Sequence, residues 1–323
     1  MHVLVILMVL AGITAQRSAQ PTKPAHAEDE ALRLQVALDR AGFSPGPIDG
    51  RMGRNTRLAL ETWKAQGGNP DATAVEPLVS YTITPDDASG PYVPAVPSDL
   101  EEQSKLPALS YRSPLEALAE RFHATPDFLR RTNPSAQFTE GEEILVPNVE
   151  PLVAPVERLA APPKNAPQAK PTGTAGRRGA PPPSDKPDVV VTVSKSTSAL
   201  TVKDAGGKVI LFAPVTTGSE HDPLPIGEWK VNGVELNPKF RYNPDLFWDA
   251  DPTHTKTTIA PGPNNPVGLV WIDLSKPHYG IHGTPEPEAI GRTQSHGCVR
   301  MTNWDALKLA GLVKPGTRVI FTE

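Results

Sequence analysis

Only one cysteine, Cys298, occurs in the 323 residues. A single thiol rules out an intrachain disulfide framework and any zinc motif built on paired cysteines. Aromatic residues make up 6% of the chain, too few to expect one large core. Basic charge is not in excess: 32 Lys and Arg against 36 Asp and Glu leave a formal net charge of -4, and nothing in the totals points to nucleic acid. Long apolar runs are also missing. Val3 to Ile13 is too short to span a bilayer as a helix, and no other stretch is long and apolar enough for a transmembrane anchor. That run, with small residues at Ala11, Gly12 and Ala15, suits the apolar part of a secretory signal within residues 1–27. Positive charge ahead of it is lacking, and Ala15, Ala19 and Ala27 each offer a cleavage point. No cysteine lies close enough for a lipid anchor. In an exported chain a lone thiol is buried and inert, bridged to another chain, or reactive.

Proline, by contrast, is abundant: 38 residues, more than twice the ordinary share of about 5%. Ten of these lie in residues 149–188, where large apolar residues are few; this reads as a semi-extended, disordered linker. It divides the chain. Before it, residues 28–70 show Ala31, Leu34, Leu38 and Ala41 at helical spacing, a stop at Gly42, turn chemistry in "SPGPIDG", and a second helix from about Thr56. Leu34, Gly42, Phe43, Gly46, Ile48, Asp49, Gly50, Gly53, Thr56 and Ala59 resemble the peptidoglycan-binding repeat of wall enzymes. Residues 80–148 carry a strand near Tyr81 to Thr84, helices over Leu115 to Phe122 and Pro126 to Thr132, and a strand at Ile144 to Val146. With Leu115, Ala119, Phe122, Leu129, Asn133, Gly141 and "ILVP", this is similar to a LysM module, a small α+β unit for N-acetylglucosamine glycans, interrupted by an insertion of about 25 residues.

After the linker, residues 189–323 read as mostly β. Three strands fill the stretch from Val189 to Gly218, with "DAGGK" as a hairpin turn, and further strands are expected at Glu228 to Asn232, Val267 to Asp273 and Arg318 to Phe321. One helix follows the cysteine, capped by Thr302 or Asn303, with Asp305 in its first turn and Gly311 as its stop. Because the linker lacks a core of its own, a chain starting near Pro187 is expected to fold by itself.

The chemistry concentrates in "YGIHGT" and "SHGCVRM". A cysteine attacks carbonyls as thiolate and needs a base. His282 lies sixteen residues before Cys298 and His296 two before it; an extended segment would put His296 and Cys298 on one face. The amides of Gly297 and Cys298 offer an oxyanion site, and Arg300 a fixed charge for a carboxylate. On these residues alone three readings stand: a structural cysteine, a zinc site from His282, His296 and Cys298 with His278 nearby, or a nucleophile.

"IHGTPEPEAIGRTQSHGCVRM" resembles the signature of the L,D-transpeptidase (YkuD-type) catalytic domain, supported by "PVTTGSEHDPLPIGEW", "APGPNNPVGLVWIDL" and "NWDALKLAGLVKPGTRVIF". The resemblance implies a YkuD-like β-sandwich with a short helix after the cysteine. It makes Cys298 the acylated nucleophile and His282 its base and acid. Gly283 would orient His282 through its carbonyl, His296, Gly297 and Ser295 would shape the pocket and oxyanion site, and Arg300 would meet a substrate carboxylate or a structural acid. It implies no metal and no organic cofactor. The partners implied are peptidoglycan stem peptides and glycan, with a stem amine, an envelope protein or water as acceptor, in the periplasm or envelope of a bacterium. Two other classes compete. A papain-like NlpC/P60 peptidase places cysteine before histidine, the reverse of this order, and a catalytically inactive wall-binding scaffold has no use for the His282 and Cys298 pair.

Overall fold

The computed structural model describes residues 25–70, 76–153 and 186–323. The signal segment up to residue 24 and linker residues 154–185 lie outside the described residues.

Helices α1 (Ala25–Arg40) and α2 (Arg54–Ala65) form the expected hairpin. Its turn is fixed by Gln35, whose Nε2 donates to Asp49 Oδ1 at 2.9 Å while its Oε1 accepts from the Gly50 amide at 2.9 Å. Helix α1 bears two apolar stripes. Leu32 and Val36 form one and Leu34 and Leu38 the other, each spaced i,i+4 and offset from each other by roughly 200°. The hairpin is therefore a wedge with two greasy faces.

One face enters the second unit. There β1 (Leu78–Thr82) pairs antiparallel with β2 (Glu143–Pro147), and α5 (Pro114–Arg121) and α6 (Pro126–Thr132) lie between them in sequence. Ser113 and Thr125 cap these helices through the amides of Glu116 and Phe128, each with proline at the first turn. Leu32, Val36 and Ile48 of the hairpin share a core with Leu118, Phe122 and Leu129 of this unit. The insertion after β1 holds two short helices, α3 (Pro85–Ser89) and α4 (Leu100–Ser104).

The C-terminal unit is one eight-stranded sheet. Its strands are β3 (Val189–Ser194), β4 (Ala199–Asp204), β5 (Val209–Pro214), β6 (Gly227–Leu236), β9 (Val270–Leu274), β10 (Gly280–His282), β11 (Val299–Arg300) and β12 (Arg318–Thr322), in the order β11-β10-β9-β6-β12-β3-β4-β5. Strand β6 is shared: Gly227 to Lys230 pair with β12, and Val231 to Leu236 pair with β9 across a register shift. The two layers expected of a sandwich are thus joined through β6 around a single core of Val191, Leu200, Ile272, Val299 and Leu309. The sheet edges also meet, since Thr216 beyond β5 exchanges both backbone hydrogen bonds with Arg300 of β11. A separate hairpin, β7 (Phe240–Tyr242) with β8 (Thr257–Ile259), stands over one end. Helix α7 (Asn303–Leu312) starts on the Thr302 cap, as expected. Gly311 does not stop it; the helix runs on to Leu312 and is capped at Val313, whose side chain is buried in the core.

The units do not sit apart. Phe43 pairs with Phe212 on edge strand β5, with Ser44 N donating to Phe212 O at 2.8 Å and Phe212 N to Gly42 O at 2.9 Å. The second face of α1 closes a core with Phe43, Ala199, Val209 and Phe212, which also covers an otherwise open sheet edge. A buried polar junction completes the contact. Asp39 Oδ2 meets His123 Nδ1 at 2.9 Å, Lys308 Nζ reaches Asp39 Oδ1 at 3.1 Å, Ser44 Oγ donates to Asp305 Oδ2 at 2.8 Å, and the His123 ring stacks on Trp304 at 5.0 Å.

Candidate active site

Strand register brings the two motifs together. β10 and β11 run parallel with Ile281 opposite Val299 and His282 opposite Arg300, so Cys298 falls beside Gly280. Side chains alternate along a strand, which puts His282, Cys298 and Arg300 on the face opposite Ile281 and Val299. The latter two are in the core, and the former three line one cleft of about 870 Å³.

His282 is buried, and its ring lies nearly parallel to Trp271 at 5.5 Å. Its Nδ1 is 2.7 Å from the Gly283 carbonyl oxygen. A carbonyl only accepts, so Nδ1 carries the proton and Nε2 is left with its lone pair. Burial first, and then the positive Arg300, lower the imidazole to about 3, against the pull of the Gly283 carbonyl. Cys298 is half-buried. Burial pushes its thiol up, the Gly280 N–H and Arg300 pull it down, and Asp222 adds to the rise. The net direction is upward, so the resting pair is a neutral thiol and a neutral imidazole. The thiol points to His278 O at 3.7 Å, and no hydrogen bond joins Cys298 and His282 in this state.

The segment around the cysteine is bent where an extended run was expected. Gly297 has φ +99°, and a Cβ there would lie 2.7 Å from the Tyr279 ring. The bend takes His296 away from a shared strand face with Cys298. Its Nε2 instead meets Asp249 Oδ1 at 2.7 Å, and its ring packs edge-on to Phe247. Ser295 ties the loop by donating from Oγ to Cys298 O at 2.6 Å. Ser295 N donates to Thr217 O and Arg300 N to Thr216 O, whereas the amides of Gly297 and Cys298 donate to no turn or loop carbonyl among the described residues. The Arg300 side chain likewise makes no hydrogen bond or ion pair among them, although Glu286 lies close enough to be felt. No group of three or more His, Cys, Asp or Glu side chains among the described residues is arranged to hold a metal ion.

Several residues of the cleft were not legible as site residues. Trp271, Tyr279 and Asp222 line it from separate strands and loops, and Asn303 lies behind Gly283. A lid formed by residues 240–259 adds Phe240, Tyr242 and Phe247. Its Trp248 stacks on His221, which precedes Asp222, at 4.2 Å. The lid is latched from the insertion after β1: His254 Nε2 meets Asp99 Oδ2 at 2.9 Å, and Thr255 Oγ1 donates to Glu101 Oε1 at 2.9 Å. The aromatic content of "RYNPDLFWD" is the one sequence signal that could have marked the lid.

Residues 188–321 match the family of L,D-transpeptidase catalytic domains, YkuD. The chain is 34% identical over 142 residues to YqjB of Bacillus subtilis strain 168, named as an L,D-transpeptidase, covering 42% of this chain and 72% of that protein. It is 27% identical over 208 residues to YkuD of the same organism, covering 64% of this chain and 91% of that one. Among solved structures, an L,D-transpeptidase from Mycobacterium smegmatis is similar at 19% identity with a TM-score of 0.35, over 42% of this chain and 59% of that chain, less than two thirds of its length. With the family's catalytic domain matched from Asp188 to Phe321 and most of YqjB covered, the chain belongs to the YkuD family of L,D-transpeptidases.

Proposed function

We propose that the protein is an exported peptidoglycan L,D-transpeptidase that joins third-position diamino acid residues of neighbouring stem peptides through a thioester on Cys298. One observation supports this most: His282, Cys298 and Arg300 share one wall of a lidded cleft, with the imidazole tautomer set by the Gly283 carbonyl. The neutral resting pair defines the order of proton movement. As Sγ attacks the carbonyl of the third residue, its proton passes to His282 Nε2, so thiolate character develops only during attack. The amides of Gly297 and Cys298, which donate to no turn or loop carbonyl among the described residues, serve the developing oxyanion. His282 then protonates the departing amine of the terminal D-alanine, leaving a thioester and a neutral imidazole. Arg300, cationic and without a partner among the described residues, takes a substrate carboxylate.

An amine of a second stem resolves the thioester into a cross-link; a protein lysine would give a protein-to-wall anchor, and water a trimmed tripeptide. The helical hairpin and LysM-like unit hold the enzyme on its polymer in the bacterial envelope and raise local substrate concentration. Among the described residues no helix is long and apolar enough to cross a membrane.

The reading is tested with purified tetrapeptide muropeptides and, separately, a carbapenem, each followed by mass spectrometry. Dimer or tripeptide products and a single drug adduct in the wild type, absent in Cys298→Ala and slowed about 10²–10⁴-fold in His282→Ala, are expected. Unchanged muropeptides and no adduct on folded protein would leave the wall-binding scaffold as the better account.

A further inference from the structure

The cleft that holds Cys298 and Arg300 also holds a charge of the opposite sign. Asp222 belongs to the loop between β5 and β6 and lines the same cleft. Its Oδ2 is buried and has no hydrogen-bond partner among the described residues. A buried carboxylate oxygen left unsatisfied is costly and asks for a ligand. The placement is built. Ser219 N donates to Asp222 O at 2.9 Å and Asp222 N to Ser219 Oγ at 3.1 Å, which closes the loop on itself. Gly218 bridges to Ser295, and Ser295 N donates to Thr217 O at 3.1 Å, so the loop is pinned to the nucleophile segment. Gly218 has no room for a Cβ, which would lie 2.1 Å from Asp222 O. The charge is close enough to act on both Cys298 and Tyr279.

For acylation this placement is counterproductive, since a negative group beside the thiol opposes thiolate formation. It is useful only for a step in which a cation must approach the sulfur. Resting on the acyl-transfer reading above, we infer that Asp222 is the docking group for the ammonium of the acyl acceptor, and that it favours aminolysis of the Cys298 thioester over hydrolysis. The acceptor enters as R–NH3⁺ and hydrogen-bonds to Asp222 Oδ2. It gives up one proton to His282, which was left neutral when the D-alanine departed. The amine then attacks the thioester carbonyl, the C–N bond forms and the C–S bond breaks. His282 returns its proton to the Cys298 sulfur, and the second proton of the former ammonium leaves to solvent. Water has no charge for Asp222 to hold, so it gains nothing from the same group.

The test uses the full chain with tetrapeptide stems as both donor and acceptor, and quantifies dimer, tripeptide and rate of β-lactam acylation for wild type, Asp222→Asn and Asp222→Glu. In Asp222→Asn the dimer-to-tripeptide ratio should fall about ten-fold or more, the loss expected for one charge-assisted hydrogen bond. Its β-lactam acylation should rise, and Asp222→Glu should lie between it and wild type in product ratio. An unchanged ratio in Asp222→Asn overturns the inference, as does a parallel loss of dimer, tripeptide and acylation, which would make Asp222 a donor-binding or structural residue. A wild type that acylates but yields tripeptide alone also overturns it while sparing the acyl-enzyme. A wild type that yields neither product nor adduct instead sinks the transpeptidase reading itself.

Discussion

Replacing Gly283 with alanine should damage catalysis although the added methyl group touches neither substrate nor thiol. The carbonyl of Gly283 sets the His282 tautomer at 2.7 Å. A Cβ on this residue would lie 2.0 Å from Asn303 Oδ1, 3.2 Å from its Cγ and 3.3 Å from Leu269 N. Asn303 has little room to yield. It is fully buried, its Oδ1 accepts from Leu269 N at 2.9 Å, its Nδ2 donates to Pro263 O at 3.3 Å, and it opens helix α7. Relief by moving Asn303 leaves the Leu269 amide unpaired, at about 1–3 kcal/mol. Relief by moving Gly283 shifts its carbonyl by about an ångström and swings the imidazole, and a misplacement of about 1 Å typically loses about 10² in rate. Acylation by a carbapenem, followed by intact mass, should therefore slow about 100-fold, with a stability loss of about 1–3 kcal/mol in urea unfolding. Gly311→Ala is the control, because nothing lies within 4 Å of its Cβ; inside helix α7 it should stabilise by about 0.5–1 kcal/mol. A Gly283→Ala enzyme that acylates within threefold of wild type would refute the reasoning.

Burial and Arg300 hold the His282 imidazole near 3, so the proposed base stays neutral on acidification and acylation should persist to about pH 4. In Arg300→Gln the acid limb should move up, and a wild-type midpoint near 6.5 in the pH profile would contradict the assignment. Burial alone would raise the Asp39 carboxyl, but His123 and Lys308 outweigh it and lower it from 3.8 to about 2. At 1.36 kcal/mol per unit this is about 2 kcal/mol of stability, present above pH about 4 and lost as pH falls through about 2. Asp39→Asn should lose that amount at neutral pH in urea unfolding, and a change below about 0.5 kcal/mol would argue against it. A chain beginning at Lys186 should be several kcal/mol less stable than the full chain, because Phe212, Val209 and Trp304 lose their cover at about 1.5–3 kcal/mol for each large side chain. Equal urea midpoints would show the interface to be dispensable.

Local signals carried far along this chain because their physics spans only a few residues. Thr125 with Pro126 and Thr302 with Asp305 mark helix starts by capping amides three residues on. The Asp204 turn closes within four residues through Asp204 Oδ1 and the amides of Gly206 and Lys208. Histidine and cysteine sixteen residues apart, around a turn-rich connection, left a nucleophile with its base as one of three readings, and only the resemblance to L,D-transpeptidases chose among them. Where a signal depended on packing, the linear pattern misled or was silent. Gly311 looked like a stop, yet the helix continues because Leu309, Ala310 and Val313 are buried in the core. The proline-rich segment suggested separate units, yet α1 is apolar on two faces and both are filled. Asp222 lies far from Cys298 in sequence and shares its cleft through a loop held to the cysteine segment by the bridge from Gly218 to Ser295. The charge state of His282 was beyond the sequence altogether. Composition and spacing made a histidine available, but its low pKa comes from burial and from Arg300, placed opposite it by the parallel register of β10 and β11. The residues and their order supply the chemical groups and the local turns; dielectric environment, distance between remote groups and room for a methyl group are properties of the packed interior, and only the tertiary structure decides them.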